Sequence, residues 1–550
     1  MFSRITTNRY YLFFSTLIFV ILLADLGSYG LAETSEARYA EISREMLYSG
    51  DYLNPELLGI FHFHKPPMAY YITTLGYRIF GITEFGARFF LQVAIVLQLL
   101  LVYGITNLLY KNRKIAYMSA LVYFAMPIVL ISSRNLTADA YLTTFILGSI
   151  YCWQYYTSIG QLTYLYLFYW MVALALLTKG PVALLFILTY IIVYKLIFKC
   201  SSKINLHHLL GFVLCLVIGS SWYIMVVKGN PGLWGYFIEK QLLSRMAFKS
   251  FNRAKPFWFY IPIIFALVLP WWGLILHIFK KKGKRVTIIG RENKLLLISS
   301  VFLVLIFSVF KTKLIMYILP VVWMLSILIA VQLFKITPAI RYILNVSYAL
   351  LTGLLFLGVL IIWFLQPAFL QISSSTLVIC SVCVAVFGGI YFLIDNGYVA
   401  KPAILGASFG AFLILMSTSI MSNNGSTFNS TKEMIGYINA ITPKGPKTIV
   451  VYDYLLSSIP VYSGANPITI KFRHNTTDRE VQFQRNNQWQ ANLWDINDKV
   501  MVSKLDSLSH CPNTYLIIRR KIGFKDDLKF LLPHFSNRHE YPKWLILYNK

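Results

Sequence analysis

The sequence predicts an α-helical polytopic membrane protein that carries a small α/β domain at its C-terminal end. Three observations lead there. Of its 550 residues, 57% are hydrophobic and 13% charged, with a mean hydropathy of +0.61, whereas soluble domains carry about 25% charged residues. Apolar runs of about 20 residues, the length that crosses a bilayer core, recur up to residue 421. From 422 onward the chain turns polar, and its apolar residues gather in short strand-like runs such as TIVVYDY (448–454) and TYLIIRR (514–520).

The first apolar run, 11–31, follows Arg4 and Arg9, which places the N-terminus in the cytoplasm. No small-residue cleavage site follows a short apolar core, so the run reads as an anchor and not as a removed signal peptide. A polar stretch, Glu33–Arg88, then lies on the outer side. Further spans are expected near 87–110, 115–133, 139–157, 163–178, 182–199, 209–227, 257–279, 295–310, 314–334, 342–364, 373–394 and 402–421. That makes about thirteen. The basic loops KNRK (111–114), Lys195–Lys199–Lys203, KKKGKR (280–285) and Lys335–Arg341 all fall inside. An odd count of spans leaves the tail outside.

Two domains are therefore expected: 1–421 in the membrane, with the outer loop 32–88, and 422–550 as a soluble outer domain of α/β type. SNNGS (422–426) reads as the linker, and RHNTTDREVQFQRNNQWQ (473–490) as exposed. The tail holds no GxSxG, Walker loop or metal-spaced His/Cys cluster, so chemistry is not expected there. The net charge of +28 reflects topology and the headgroups of membrane lipids, not a nucleic-acid partner. The cysteines form no disulfide or zinc framework; Cys380 and Cys383 lie in an apolar run and read as packing.

Several cations break the positive-inside pattern. Arg134, Lys179, the cluster Lys240, Arg245, Lys249, Arg253 and Lys255, and the pair Lys311 and Lys313 all fall on the outer side, the side that carries Lys65. Cations gathered where water is scarce favour an anion such as phosphate. Lys65 precedes two prolines in FHFHKPPMAYY, which fix its backbone. Tyr317 lies one turn from Lys313 and can bond the same group. Among the acids, Glu36, Glu33 and Asp139 are the candidates for a general base, or for orienting an acceptor or an amino group. Glu33 and Glu36 share a face if their segment is helical, and Asp139 sits at the outer start of a span, where a carboxylate is costly without a purpose. His62 and His64 point to one side of an extended segment. A divalent metal there would need a third ligand, for which Glu239 is the candidate.

ARYAEISREMLYSGDYLNPELLG, FHKPPMAYY, IFGITEFGAR, LLTKGP (176–181) and KTKLIMYILP (311–320) together resemble the GT-C glycosyltransferases that use polyprenyl phosphates. The resemblance is strongest to the bacterial aminoarabinose transferases that modify lipid A, relatives of the protein O-mannosyltransferases. It implies an Asp-Glu-x-Arg-Tyr motif that reads here Ser35-Glu36-Ala37-Arg38-Tyr39, so the first acid is replaced by Ser35, while Glu36, Arg38, Lys65, Asp139 and Tyr317 match. Where the lipid A enzymes carry Glu before the lysine, this chain has His64, a departure that bears on the metal, the sugar and the acceptor.

The resemblance implies an inverting sugar transfer from an undecaprenyl phosphate donor to lipid A or another envelope acceptor, at the periplasmic face of a bacterial inner membrane, with no cofactor strictly required. Glu36 and Asp139 would be catalytic. Arg38, Lys65, Lys311, Lys313 and Tyr317 would bind the donor phosphate, with Glu33, His62, His64 and Arg134 auxiliary. A lipid-linked sugar flippase and a protein O-glycosyltransferase are the alternatives; a flippase should show repeated halves or helices broken at mid-membrane, and no repeat is visible.

Overall fold

The computed structural model describes residues 9–200, 204–243, 254–277, 290–367, 369–443, 445–472, 478–521, 523–524 and 526–549. KKKGKR (280–285), Lys203, Arg4, Arg245, Lys249 and Arg253 lie outside the described residues, as does the start of the expected exposed stretch at 473. The chain divides into two compact units, Met1–Ala24 with Phe89–Phe364 and Ser373–Ser417, and Asp25–Arg88 with Leu365–Ile372 and Thr418–Lys550.

The first unit is a helical bundle. Every expected apolar run coincides with a helix or a broken helix: Arg9–Leu23, Glu84–Tyr110, Arg113–Phe124 with Pro127–Ser133, Ala138–Ile159, Leu162–Lys179, Val182–Phe198, Leu206–Gly229, Tyr260–Leu267 with Trp272–His277, Arg291–Val309, Leu319–Leu333, Pro338–Leu365, Ser374–Leu393 and Lys401–Asn423. Among the described residues, eight helices are long and apolar enough to cross a membrane, or nine if a pair bent by 64° counts as one span. The expected thirteen exceeds that number because some apolar runs form shorter pieces and because Ala138–Ile159, though 22 residues long, is too polar to count. Pro127 ends one helix and begins another, and Pro270 falls in a similar interruption.

Leu319–Leu333 is buried at every position and forms the axis of the unit, packed against Arg113–Phe124 and Arg291–Val309. Pro338–Leu365 and Ser374–Leu393 instead expose large apolar side chains, among them Leu354, Phe364, Phe392 and Leu393, as helices facing lipid do. Gly211 lets Leu206–Gly229 approach Leu162–Lys179, because a Cβ there would strike the Tyr169 ring. Polar cross-links complete the packing. Gln98 Nε2 donates to the Ala140 carbonyl at 2.8 Å and Tyr123 Oη donates to Gln98 Oε1 at 2.7 Å, tying three buried helices.

The second unit joins Asp25–Arg88 to the C-terminal part. Its sheet contains β3 (Thr448–Tyr452), β4 (Ile468–Lys471), β5 (Leu493–Asp495), β6 (Thr514–Arg519), β7 (Asn537–Glu540) and β8 (Trp544–Tyr548), in the order β5-β4-β3-β6-β8-β7. Pairs β5/β4, β4/β3 and β3/β6 are parallel, whereas β6/β8 and β8/β7 are antiparallel. The period of two along a strand splits each run between two cores. Ile449, Val451, Tyr515, Ile517, Trp544 and Ile546 meet helix Lys432–Ile441 on one face. Val450, Tyr452, Leu516, Ile518 and Leu547 meet Lys499–Ser509 and the segment Asp526–His534 on the other. The α/β reading of the tail is thus the fold found.

The loop 32–88 forms helix Ser35–Ser49, the hairpin β1 (Glu56–Leu57) and β2 (Ile60–Phe61), and helix Met68–Phe80. Gly50 ends the first helix with φ +71°, its N–H donating to the Met46 carbonyl, a conformation glycine adopts without penalty. Ile42, Met46, Leu57, Leu58 and Tyr70 form one core with Leu455 of the C-terminal part.

Candidate functional site

In the loop 32–88 the helix Ser35–Ser49 presents its acids inward: Glu36, Glu41 and Glu45 are all buried. Glu36 and Arg88 form a two-pronged ion pair, with Nε to Oε1 and Nη2 to Oε2 both at 2.8 Å. Arg88 also donates to the carbonyls of Leu26, Tyr29 and Gly30, and its guanidinium stacks 3.7 Å above the Tyr29 ring. Glu36 Oε2 further accepts from the Ala32 N–H at 2.9 Å. Both carboxylate oxygens are thereby committed within the protein. Arg88 was missed by sequence reasoning, although it closes the block IFGITEFGAR; a lone arginine opening an apolar span was its signal.

Glu33 does not share a face with Glu36, because the helix begins at Ser35. Its Oε1 accepts from both the N–H and the hydroxyl of Ser458 at 2.7 Å, and its backbone pairs with Asn429. Burial pushes its carboxyl up to about 7 against these bonds. Glu41 takes Arg44 in a two-pronged pair at 2.7 Å, yet burial still raises it. Glu45, raised well above the carboxylate range by burial and by the neighbouring Glu41, holds the Gly59 N–H at 3.1 Å.

Lys65 occupies the turn between β2 and helix Met68–Phe80 and is half-buried, with buried Pro66 and Pro67 beside it. The turn is braced from the C-terminal part: Phe63 packs edge-on against Phe483 at 6.0 Å, Arg485 lies over the Phe61 ring, and Asn492 donates to the Leu58 carbonyl. His62 is buried and His64 half-buried, their rings 5.5 Å apart. Arg38 is half-buried on the helix. Among the described residues, the His, Cys, Asp and Glu ligand atoms gather into a group of three at one place, and it includes neither of these histidines.

In the helical unit the centre is Asp139. It stands in the first turn of Ala138–Ile159 and forms an ion pair with Lys179, in the last turn of Leu162–Lys179. Each charge sits at the helix end whose dipole favours it. Lys179 also lies 4.4 Å above the Tyr317 ring, so Asp139, Lys179 and Tyr317 form one cluster. Gly180 and Pro181 explain the LLTKGP block, as they end one helix and start the next directly after the lysine. In the sequence Lys179 stands out as a misplaced cation, but its separation of 40 residues from Asp139 hides the pairing.

The remaining cations differ. Arg134 is buried and donates to the Leu22 carbonyl at 2.7 Å. Lys313 is buried, its ammonium donating to the carbonyls of Lys255 and Phe310, and burial lowers its pKa. Lys311 is exposed. The Lys240 side chain lies outside the described residues.

The profile of the family described as dolichyl-phosphate-mannose-protein mannosyltransferase matches residues 64–224. The chain is 32% identical over 326 residues to the undecaprenyl phosphate-alpha-4-amino-4-deoxy-L-arabinose arabinosyl transferase 2 of Proteus mirabilis, covering 57% of this chain and 58% of that one. It is 30% identical over 374 residues to the transferase of the same name from Aeromonas salmonicida, covering 67% and 68%. The chain belongs to this arabinosyl transferase family. Its matches span under three-fifths of the length of the first of these relatives. The crystal structure of ArnT from Cupriavidus metallidurans bound to undecaprenyl phosphate superposes with a TM-score of 0.76 at 18% identity, covering 98% of each chain. The GT-C fold expected from the sequence is therefore the fold of this arabinosyl transferase family member, and it is a multi-span membrane protein.

Proposed function

We propose that the protein moves 4-amino-4-deoxy-L-arabinose, or a related sugar, from undecaprenyl phosphate to lipid A or another envelope acceptor on the outer side of a bacterial inner membrane. What carries this reading is family membership together with a half-buried lysine, Lys65, on a double-proline mount inside the matched region. The names of the relatives supply the sugar and its carrier, and the ArnT crystal structure contains that carrier as undecaprenyl phosphate.

In this reaction an oxygen of the acceptor attacks the anomeric carbon, the bond from that carbon to the phosphate oxygen breaks, and the electron pair leaves with the undecaprenyl phosphate. One displacement inverts the anomeric centre. Lys65, with Arg38, stabilises the charge that grows on the departing phosphate, the kind of preorganised electrostatics that is often the largest catalytic term. Lys313 holds the backbone that presents Lys311. Asp139 orients or deprotonates the acceptor or holds the amino group of the sugar, and Lys179 and Tyr317 fix its position. Glu36 acts as a positioning residue through Arg88, Arg134 anchors the chain ahead of Asp139, and Glu33 ties the loop to Ser458. His62 and His64 flank Lys65 as auxiliary groups. An acceptor that is itself a phosphate is already ionised at neutral pH, so the absence of an acid at Ser35 is tolerated.

The test is release of undecaprenyl phosphate by reconstituted protein from a labelled lipid-linked aminoarabinose, with and without lipid A. Acceptor-dependent release supports the reading. The description of the matching family keeps a protein acceptor as the second reading, and label appearing on polypeptide would select it. Label crossing the bilayer intact would instead identify a flippase.

A further inference from the structure

The C-terminal sheet carries a cluster that the transfer reaction does not use. Asp506 stands in the last turn of helix Lys499–Ser509, and His510 follows one turn later; His534 ends the segment Asp526–His534. Both elements pack on the same face of the sheet through Leu505, Leu508, Leu528 and Leu531, so the three polar side chains ride on adjacent apolar anchors. One ligand atom from each of Asp506, His510 and His534 lies within 4.8 Å of the others. His534 Nδ1 is 3.4 Å from Asp506 Oδ1, and the two imidazole rings stand 4.0 Å apart.

We propose that Asp506, His510 and His534 bind a divalent transition metal of the zinc class. Two imidazoles and a carboxylate are the donors that borderline cations select, and ligand atoms about 2.0–2.1 Å from a tetrahedral ion lie about 3.3 Å from one another, close to the observed separation of His534 and Asp506. His510 Nδ1 lies 3.0 Å from the Asp506 carbonyl. That bond orients the ring and leaves Nε2 for the ion, the supporting contact that metal-bound histidines usually have. The Ser509 hydroxyl lies 2.8 Å from His534 Nδ1, and an ion taken by that nitrogen displaces this contact. His510 is exposed, so the site opens to solvent and leaves a coordination position for water. The ion clips the segment Asp526–His534 to the helix, beside the apolar packing that already joins them.

A plain ion pair between His534 and Asp506 is the competing account, and zinc binding separates the two. Full-length protein in detergent is stripped with EDTA, dialysed against Zn2+ and assayed for bound metal by mass spectrometry. The wild type should hold one equivalent more than a His510→Ala/His534→Ala variant. Loss of even an outer partner costs about 10–100-fold in affinity, so loss of two ligands should weaken zinc binding by about 100-fold or more. Because that variant can misfold, the wild type is also labelled at histidine with diethyl pyrocarbonate: Zn2+ should protect His510 and His534 specifically. Equal metal content in wild type and variant, or identical labelling with and without Zn2+, overturns the proposal.

Discussion

Replacing Glu36 by Gln tests whether that acid holds the loop or performs chemistry. The substitution leaves the Arg88 guanidinium, whose side chain is fully buried, facing the carbonyls of Leu26, Tyr29 and Gly30 and the Tyr29 ring with no counter-charge. Removing one partner of a buried pair costs about 3–5 kcal/mol, because the other charge stays desolvated, against under about 1 kcal/mol for an exposed pair. An amide keeps one acceptor for the guanidinium, so Glu36→Gln falls toward 3 kcal/mol and Glu36→Ala toward 5 kcal/mol on the same scale. The unit that contains both residues has about 200 residues, for which 1 kcal/mol shifts the melting temperature by about 2–4 °C. Scanning fluorimetry in detergent should therefore show Glu36→Gln melting about 6–12 °C below wild type. A Glu36→Gln/Arg88→Met double variant should melt above the value expected from adding the single effects. If Glu36→Gln melts with wild type yet abolishes transfer, Glu36 is catalytic and the positioning role is wrong.

Lys65→Ala should reduce transfer by about 10²–10³-fold, the usual cost of one electrostatic stabiliser of the transition state, with the melting temperature unchanged and partial rescue in Lys65→Arg. Asp139→Asn and Lys179→Met should each lower kcat, and their double variant should lose no more than the worse single, since the residues act as one pair. For Glu33, burial raises the carboxyl from 4.5 to about 7 in the folded protein. The protonated form is thus favoured on folding, so its contribution is complete below about pH 4.5 and is lost as pH rises through 7. At about 1.4 kcal/mol per pH unit the full loss is about 3–4 kcal/mol, an upper value because the side chain keeps some solvent access. Unfolding curves at pH 5.5 and 8 should show wild type weaker at pH 8 and Glu33→Gln flatter across that range; a parallel pH response in the variant would refute the assignment.

The apolar runs were legible because a bilayer sets their length, and each one met a helix. The alternation in TIVVY and TYLIIR was legible for a related reason, since a strand with a core on both faces still assigns odd and even residues to different sides. Pairings were not legible. Lys179 and Asp139 are 40 residues apart, and Glu36 and Arg88 are 52 apart, so no periodic pattern links them; only folded helices bring their ends together. The tail misled in another way. It read as an appended domain, yet its Phe483, Arg485 and Asn492 brace the turn that holds Lys65, a contact between segments more than 400 residues apart. The Asp506, His510 and His534 group was hidden similarly, because its third member joins from a separate segment.

The most direct measurement is single-turnover release of undecaprenyl phosphate from its aminoarabinose conjugate by protein in lipid vesicles, comparing wild type with Lys65→Ala. Lipid-A-dependent release by wild type, with almost none from the folded variant, is the result this account predicts. Release that is unaffected when Lys65 is removed, or no release by wild type with any envelope acceptor, would contradict it.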